Sequence, residues 1–254
     1  MSSTGASSDG DGWAFEAVLA AAERRFATQM VLEEGIALNG ALVENLFVTI
    51  VCILNRIPCF VVGKPGTSKT LSLQVIQSNL RGPASPSPFW RKFPAVHVVS
   101  YQCSPLSSAS AIQHQFDMAC SYQAHGKAGK TVTVLLLDEV GLAEHSPLMP
   151  LKVLHSILVN PPIAIVGVSN WILDPAKMNR AVCLQRPDPS EEDMASTGGT
   201  IVRSSSLNSS SSLPPAGGSA VRCGERAAQA LLPSLAKAFH EVYTAQGGRD
   251  FVGM

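Results

Sequence analysis

Residues 63–70 read Gly-Lys-Pro-Gly-Thr-Ser-Lys-Thr, and this run limits the possible folds more than any other part of the chain. Before it, residues 58–62 are apolar and partly β-branched, which predicts a short buried strand. After it, residues 69–76 place their apolar side chains on one helical face, which predicts a helix. A strand, a loop of small residues and a helix form a phosphate site, because the loop N–H groups and the helix N-terminus point toward one place.

The loop therefore predicts binding of a nucleoside triphosphate with Mg²⁺; for the loop alone, a turn that binds no ligand is the alternative. Lys69 would contact the β- and γ-phosphates, and the Thr70 hydroxyl would coordinate Mg²⁺. The usual pattern has glycine before the lysine, and here that residue is Ser68, which we expect to fit if its φ angle stays negative. The candidate phosphate-binding residues are Gly63, Lys64, Pro65, Gly66, Thr67, Ser68, Lys69 and Thr70.

A second motif is an apolar strand, residues 131–137, that ends in two adjacent acids, Asp138 and Glu139. In an open parallel sheet, ligands bind at the carboxyl ends of the strands. Asp138 would hold Mg²⁺ through water, and Glu139 would polarise the attacking water as general base. Two solvated acids at a strand end are the alternative, which is weakened by the phosphate loop upstream.

A third apolar run, residues 162–170, ends in Asn170 and predicts another strand. Asn170 is placed to lie between the phosphate loop and the acidic strand, where it could orient the water or contact the γ-phosphate. The alternative is an asparagine that caps the following turn.

An arginine candidate follows. Asp174 is an N-cap residue and Pro175 suits the first position of a short helix, which ends at Arg180 before another apolar stretch. Arg180 could stabilise charge on the γ-phosphate of a neighbouring unit. An ordinary surface arginine at a helix C-terminus is the alternative, and we expect Lys177 to be such a surface residue.

Four stretches together resemble an AAA+ ATPase module, and more closely the mysterin family of giant RING-type ubiquitin ligases with a dynein-like AAA+ core. They are residues 63–70, 100–107, 137–144 and 169–180. The resemblance covers about residues 35–190. The family has the same serine before its loop lysine, so Ser68 supports the assignment.

The resemblance implies an α/β fold: a P-loop AAA+ three-layer α/β/α module with a five-stranded parallel sheet, ordered 5-1-4-3-2, and a partial helical lid. It implies ATP as the cofactor with Mg²⁺, and hydrolysis of that ATP in the cytoplasm. Neighbouring AAA+ units, in the same longer chain or in a homo-oligomer, are the implied partners. Ubiquitin machinery would be reached through the full-length protein.

Composition excludes some other functions. The net charge is zero and charged residues make up 15% of the chain, so nothing basic indicates a nucleic-acid partner. The apolar stretch 46–54 is too short to span a membrane. No RING-type set of paired cysteines occurs, and dispersed cysteines fit core positions in a reducing compartment. The six cysteines are Cys52, Cys59, Cys103, Cys120, Cys183 and Cys223.

The chain divides into four predicted segments. Residues 1–12 are a disordered N-terminus, and residues 13–190 are the large α/β subdomain with its preceding helices. Residues 191–226, rich in Ser, Gly and Pro, are predicted to be disordered, and residues 227–254 to be a truncated helical lid.

A polar set interrupts the apolar helix predicted over residues 36–55. Asn39, Glu44 and Asn45 could face adenine, although polar residues on the wet side of a packed helix are the favoured interpretation. Two alternatives to hydrolysis remain for the whole chain. One is a unit that binds ATP structurally without hydrolysing it, and the other is a truncated, non-functional fragment.

Overall fold

A computed structural model describes residues 9–126, 129–210 and 218–245 of the chain. In this part, five parallel strands form one sheet in the order β2-β3-β4-β1-β5. This arrangement confirms the predicted sheet and its 5-1-4-3-2 order. The strands are β1 (Cys59–Val62), β2 (Ala95–Gln102), β3 (Thr131–Asp138), β4 (Ala164–Ser169) and β5 (Val182–Gln185).

The central strands are apolar without interruption because helices cover both of their faces. All residues of β1 and β4 are buried, whereas β5 is a mostly exposed edge strand. The nine helices in the described residues are α1 (Asp9–Ala27), α2 (Gly40–Asn55), α3 (Lys69–Asn79), α4 (Ala109–His125), α5 (Val140–Glu144), α6 (Leu154–Ile157), α7 (Pro175–Met178), α8 (Glu191–Ser210) and α9 (Gly218–Ala245). Short 3₁₀ helices are Gly82–Ala84, Trp90–Lys92 and Pro150–Val153.

Two apolar layers sandwich the sheet and confirm the three-layer arrangement. On one face, Leu135 and Leu137 of β3 pack in a cluster with residues of α4, α5 and α6. On the other face, Val134 and Leu136 pack in a cluster with residues of α2 and α3. The alternation of β3 side chains between the two clusters follows from the two-residue period of a strand. None of the helices described here is long and apolar enough to cross a membrane.

The region after β3 does not form one continuous helix over residues 149–158. The chain instead forms α5 directly after the acidic pair, then a 3₁₀ turn and the short α6. Pro147 and Pro150 lie between α5 and α6, and a proline cannot donate the backbone hydrogen bond that a continuing helix needs. Prolines therefore divide this segment into short pieces.

The stretch predicted to be disordered, 191–226, is largely helical where the structure describes it, and residues 211–217 lie outside the described part. Ser190 starts α8, because its hydroxyl accepts a hydrogen bond from the Asp193 N–H (3.0 Å) and donates one to the Asp193 carboxylate (3.0 Å). Gly198 lets α9 approach closely, since a Cβ there would lie 2.7 Å from Leu232 Cδ2. Small residues that indicate disorder in the sequence here permit helix packing.

The termini also differ from the predicted boundaries. Helix α1 begins at Asp9, inside the segment predicted to be disordered, and residues 1–8 lie outside the described part of the chain. The predicted lid begins at residue 227, whereas α9 spans Gly218–Ala245, and the residues beyond it are not described.

The cysteines are largely core residues, as predicted. Cys52, Cys59 and Cys103 are buried, Cys120 is half-buried, Cys183 is exposed, and Cys223 lies outside the described side chains. Burial, with a smaller effect of the Asp138 carboxylate, raises the pKa of the Cys103 thiol to about 12. This thiol therefore stays protonated and acts as an apolar filler.

Packing between β1 and β4 generates a stability prediction. A Cβ added at Gly167 would collide with the Phe60 ring. We expect Gly167→Ala to lower the free energy of unfolding by about 1–3 kcal/mol, as overpacked cores do. Urea denaturation measures the change. Gly199→Ala is the matched control, because its Cβ has no contact closer than 3.8 Å and alanine favours a helix. Equal stability of Gly167→Ala and wild type would contradict the tight packing.

Candidate nucleotide site

The sheet topology brings the three sequence motifs to one edge. Strand β1 lies beside β4, and β4 lies beside β3, with all carboxyl ends at the same side. The Gly63 N–H donates to the Ser169 carbonyl at 3.1 Å, which joins the start of the loop to the end of β4. Asn170 therefore follows a strand located between the phosphate loop and the strand that ends at Asp138.

The backbone conformation of the loop at Ser68 differs from the one expected from the sequence. Ser68 has a φ of +56°, in the left-handed region, and not the negative φ that we expected for a serine at this position. The loop must turn into α3 at this residue, whose carbonyl accepts the first helical hydrogen bond, from the Ser72 N–H at 3.0 Å. Gly66 also has a positive φ, of +88°. The serine thus adopts a conformation in which glycine is free of strain.

Lys69 is buried within the loop, with 6% of its surface exposed. Its ammonium donates to the carbonyls of Gly63 (2.5 Å) and Lys64 (2.8 Å). Burial lowers the pKa of Lys69, and the nearby Asp138 and Glu139 carboxylates act in the opposite direction. A buried cation beside two acids is the electrostatic arrangement that a triphosphate with a divalent cation requires.

The remaining candidates lie around this lysine. Thr70 is exposed in the first turn of α3, and Asp138 and Glu139 are half-buried. The Glu139 N–H donates to Asp138 Oδ1 at 3.0 Å, and Glu139 itself is left-handed, with a φ of +49°. Thr70 and Asp138 are the residues that fit a magnesium ion, since hydroxyl and carboxylate oxygens suit that cation. This donor set fits a nucleoside triphosphate with magnesium.

Close packing also holds the start of α5 against the residues that flank Asn170. A Cβ at Gly141, two residues after Glu139, would lie 2.6 Å from Ser169 Oγ and 2.7 Å from the Trp171 ring. The residues on either side of Asn170 are therefore in contact with the beginning of α5. Asn170 itself is half-buried.

A cavity of ≈ 780 Å³ lies next to the loop, a volume suited to a drug-sized ligand such as a nucleoside. The first turn of α2, the loop, the segment after β5, and helices α8 and α9 form its walls. Asn39 and Glu44 line it, and the Glu44 side chain is 46% exposed. Its apolar lining includes Ala41, Met194, Ile201, Leu235 and Phe239.

Polar links join the walls of this cavity, and none of them was predicted from the sequence. Arg186 forms an ion pair with Glu44, and Lys64 forms one with Asp188 at 3.1 Å. The Asp193 carboxylate accepts from the N–H of Gly40 at 3.0 Å. The available signal for Arg186 and Asp188 was their position directly after β5, where these charged residues alternate with two prolines.

Asn45 departs most clearly from expectation. It is 0% exposed and not on the wet side of α2. Its Nδ2 donates to the Thr67 carbonyl at 2.9 Å, directly behind the phosphate loop. Its Oδ1 is buried without a hydrogen-bond partner among the described residues.

Arg180 lies near the amino ends of the strands, because Val182 pairs with Cys59 at the start of β1, whereas the loop follows the carboxyl end of that strand. It is exposed beyond α7, where its Nη1 donates to the His155 carbonyl at 2.6 Å. The surface interpretation of Lys177 was wrong, because its side chain is 14% exposed and pairs with Glu144 at 2.7 Å. Glu144 Oε1 also accepts the Asp174 N–H at 3.0 Å. One carboxylate thus connects the end of α5 to the start of α7.

Comparison with known proteins identifies relatives of the chain. The model of the RNF213 AAA domain family matches residues 35–193. The E3 ubiquitin-protein ligase rnf213-beta of Danio rerio is 46% identical over 183 residues, and the E3 ubiquitin-protein ligase RNF213 of Homo sapiens is 42% identical over 183 residues. Each alignment covers 68% of this chain and 4% of the relative.

Solved structures resemble the chain more distantly. C. elegans PCH-2 has 18% identity and a TM-score of 0.42, covering 77% of this chain and 46% of that chain. The Aeropyrum pernix ORC1 protein, solved in complex with DNA, has 16% identity and a TM-score of 0.48, covering 66% of this chain and 50% of that chain.

The parallel sheet, its strand order and the loop between β1 and α3 define an α/β module of the P-loop AAA+ class. The chain belongs to the RNF213 AAA domain family, which confirms the resemblance to mysterin. It spans about 4% of the length of the curated relatives it matches.

Proposed function

We propose that this chain binds ATP with Mg²⁺ and hydrolyses the ATP, as one module of a larger RNF213-like ubiquitin ligase. One observation carries the proposal. Lys69 is buried in a phosphate loop that lies at the same strand ends as Asp138 and Glu139, because β1 pairs with β4 and β4 with β3, and a cavity of nucleoside size adjoins this loop. A structural turn has no need of a buried cation, two acids and an adjoining cavity.

Each residue has a distinct role in this proposal. Lys69 and the loop N–H groups hold the phosphates, while Thr70 and Asp138 hold the metal ion. Bound Mg²⁺ would supply positive charge to the phosphate oxygens. Glu139 accepts a proton from the attacking water, and Asn170 orients that water. The cavity behind the loop receives the base and ribose.

Helices α8 and α9 would couple nucleotide binding to a change in conformation. Helices α8 and α9 line the same cavity as the loop, and Asp193 of α8 bonds to the start of α2. A nucleotide held between these walls would contact both the sheet domain and the lid. We therefore propose that nucleotide state sets the orientation of α8 and α9, and that this movement is passed to the rest of the ligase.

Partners follow from the same reasoning. Arg180 is exposed and lies near the amino ends of the strands, since Val182 pairs with Cys59 at the start of β1, whereas the loop lies at the carboxyl ends. It therefore suits the nucleotide site of a neighbouring AAA+ unit. That unit would be in the same longer chain or in a homo-oligomer, in the cytoplasm. Ubiquitin machinery would act elsewhere in the full-length protein. The exposed Arg180 also favours a second candidate function, a unit that binds ATP but does not hydrolyse it alone.

Lys69→Ala tests the binding site. We expect it to remove most Mg-ATP binding while the fold survives, because the hydrogen bonds of Lys69 lie within the loop and its charge would bind the phosphates. Isothermal titration measures the affinity and circular dichroism the fold. Unchanged affinity in a folded variant would rule out this site.

Glu139→Gln separates hydrolysis from binding. The amide keeps the shape of the carboxylate but cannot accept the proton, so ATP binding should persist while turnover falls by about 10²–10⁴-fold. Turnover and affinity are measured in an assembly that hydrolyses ATP. A variant with wild-type turnover would eliminate Glu139 as the base.

Arg180→Ala tests the contact between units. We expect it to reduce hydrolysis in the adjacent unit, by about 10³–10⁵-fold if it acts as other supplied arginines do, and not in its own. The full-length protein is used, with the loop lysine of each site blocked in turn to isolate the other. A deficit confined to its own site, or no deficit, would leave Arg180 as a surface residue.

A further inference from the structure

Asn45 is a buried polar residue in the middle of an apolar helix. Its neighbours on α2, Leu42, Leu46 and Ile50, are at most 1% exposed and belong to the core. Asn45 is itself 0% exposed, and only one half of its amide has a partner, the Nδ2 bond to Thr67 O at 2.9 Å. The opposite assignment of the amide would place two oxygens at that distance, so Nδ2 is the group that faces the loop.

This arrangement is unfavourable for the core alone. An amide oxygen buried without a partner destabilises a fold, and an apolar side chain would fill the same position in α2 without that penalty. The fold therefore retains a group whose visible effect is one hydrogen bond to the phosphate loop. The backbone conformation of Ser68, which follows Thr67, indicates what that bond does.

Ser68 holds the left-handed conformation that a serine adopts with strain. The Thr67–Ser68 peptide is planar and trans, so its carbonyl and its N–H point in opposite directions. When Asn45 binds the Thr67 carbonyl toward α2, the Ser68 N–H must point away from α2. A rotation of this peptide that brought the Ser68 φ to a negative value would relieve the serine and also turn its N–H to a different direction.

We propose that Asn45 is a positioning residue for the phosphate loop. It fixes the Thr67–Ser68 peptide so that a serine can occupy the left-handed position and keep its N–H directed at a bound polyphosphate anion. The role rests on the proposed binding of Mg-ATP. Asn45 acts only through the loop backbone and contacts no reacting atom.

The first test compares Asn45→Ala with Asn79→Ala in the full 254-residue chain. Asn79 is a matched control, because it is also 0% exposed and bonds a backbone segment, with Nδ2 donating to Val31 O at 2.9 Å. It lies at the other end of α3, about 15 Å from Lys69 at the helical rise. Both variants should lower the melting temperature, because alanine is smaller than asparagine and leaves a backbone carbonyl without its donor. Only Asn45→Ala should weaken Mg-ATP binding, by about tenfold, in isothermal titration.

The second test asks whether the effect passes through the serine. Asn45→Ala is combined with Ser68→Gly, since glycine adopts the left-handed turn without strain and needs less support. The affinity lost through Asn45→Ala should be much smaller in the Ser68→Gly background than in the wild type. An equal loss in both backgrounds, or a loss shared by Asn79→Ala, would show a merely structural role and overturn the proposal.

The two proposals fail in different ways. If the wild type binds Mg-ATP, Lys69→Ala abolishes binding and Asn45→Ala leaves it intact, only the role of Asn45 is overturned. If the wild type binds no Mg-ATP, the proposed function is overturned, and the role of Asn45 with it.

Discussion

The parallel pairing of β1 with β4 is the constraint on which the site depends. It places the start of the phosphate loop against the end of β4, through the bond from the Gly63 N–H to Ser169 O. Because β4 also pairs with β3, the two acids fall on the same edge. A different partner for β1 would leave the loop and the acids intact as sequence motifs but separate them in space. Buried apolar residues on both faces of β4 keep this pairing in place.

Most of the fold follows from the sequence, because uninterrupted apolar strands and loop motifs are local signals. The strand order comes from the resemblance to AAA+ modules and is confirmed here. After β3, Pro147 and Pro150 divide the chain into short helices, which is also a local signal. Helix α8 was missed because its small residues indicate disorder until α9 packs against them at Gly198. Contacts distant in sequence decide such cases.

The loop, the two acids, Asn170 and Arg180 could be named from the sequence, but their supports could not. The left-handed Ser68, the buried Asn45 and the ion pair between Glu44 and Arg186 depend on contacts across 22 to 142 positions of the chain. A single polar residue in an apolar helix has no periodic signature that tells a solvated side chain from a buried one. Only the packing of α2 behind the loop makes that distinction.

Glu144 couples the position of α5 to that of α7. Its carboxylate holds both the Asp174 N–H and the Lys177 ammonium, so α5, which begins beside Glu139, and α7, which leads to Arg180, are fastened to each other. The lysine is largely shielded from water, which makes this junction less sensitive to salt than an exposed pair. A tilt of α5 would therefore move α7 with it. Glu139, the proposed general base, and Arg180, the proposed contact to a neighbouring unit, would then move together.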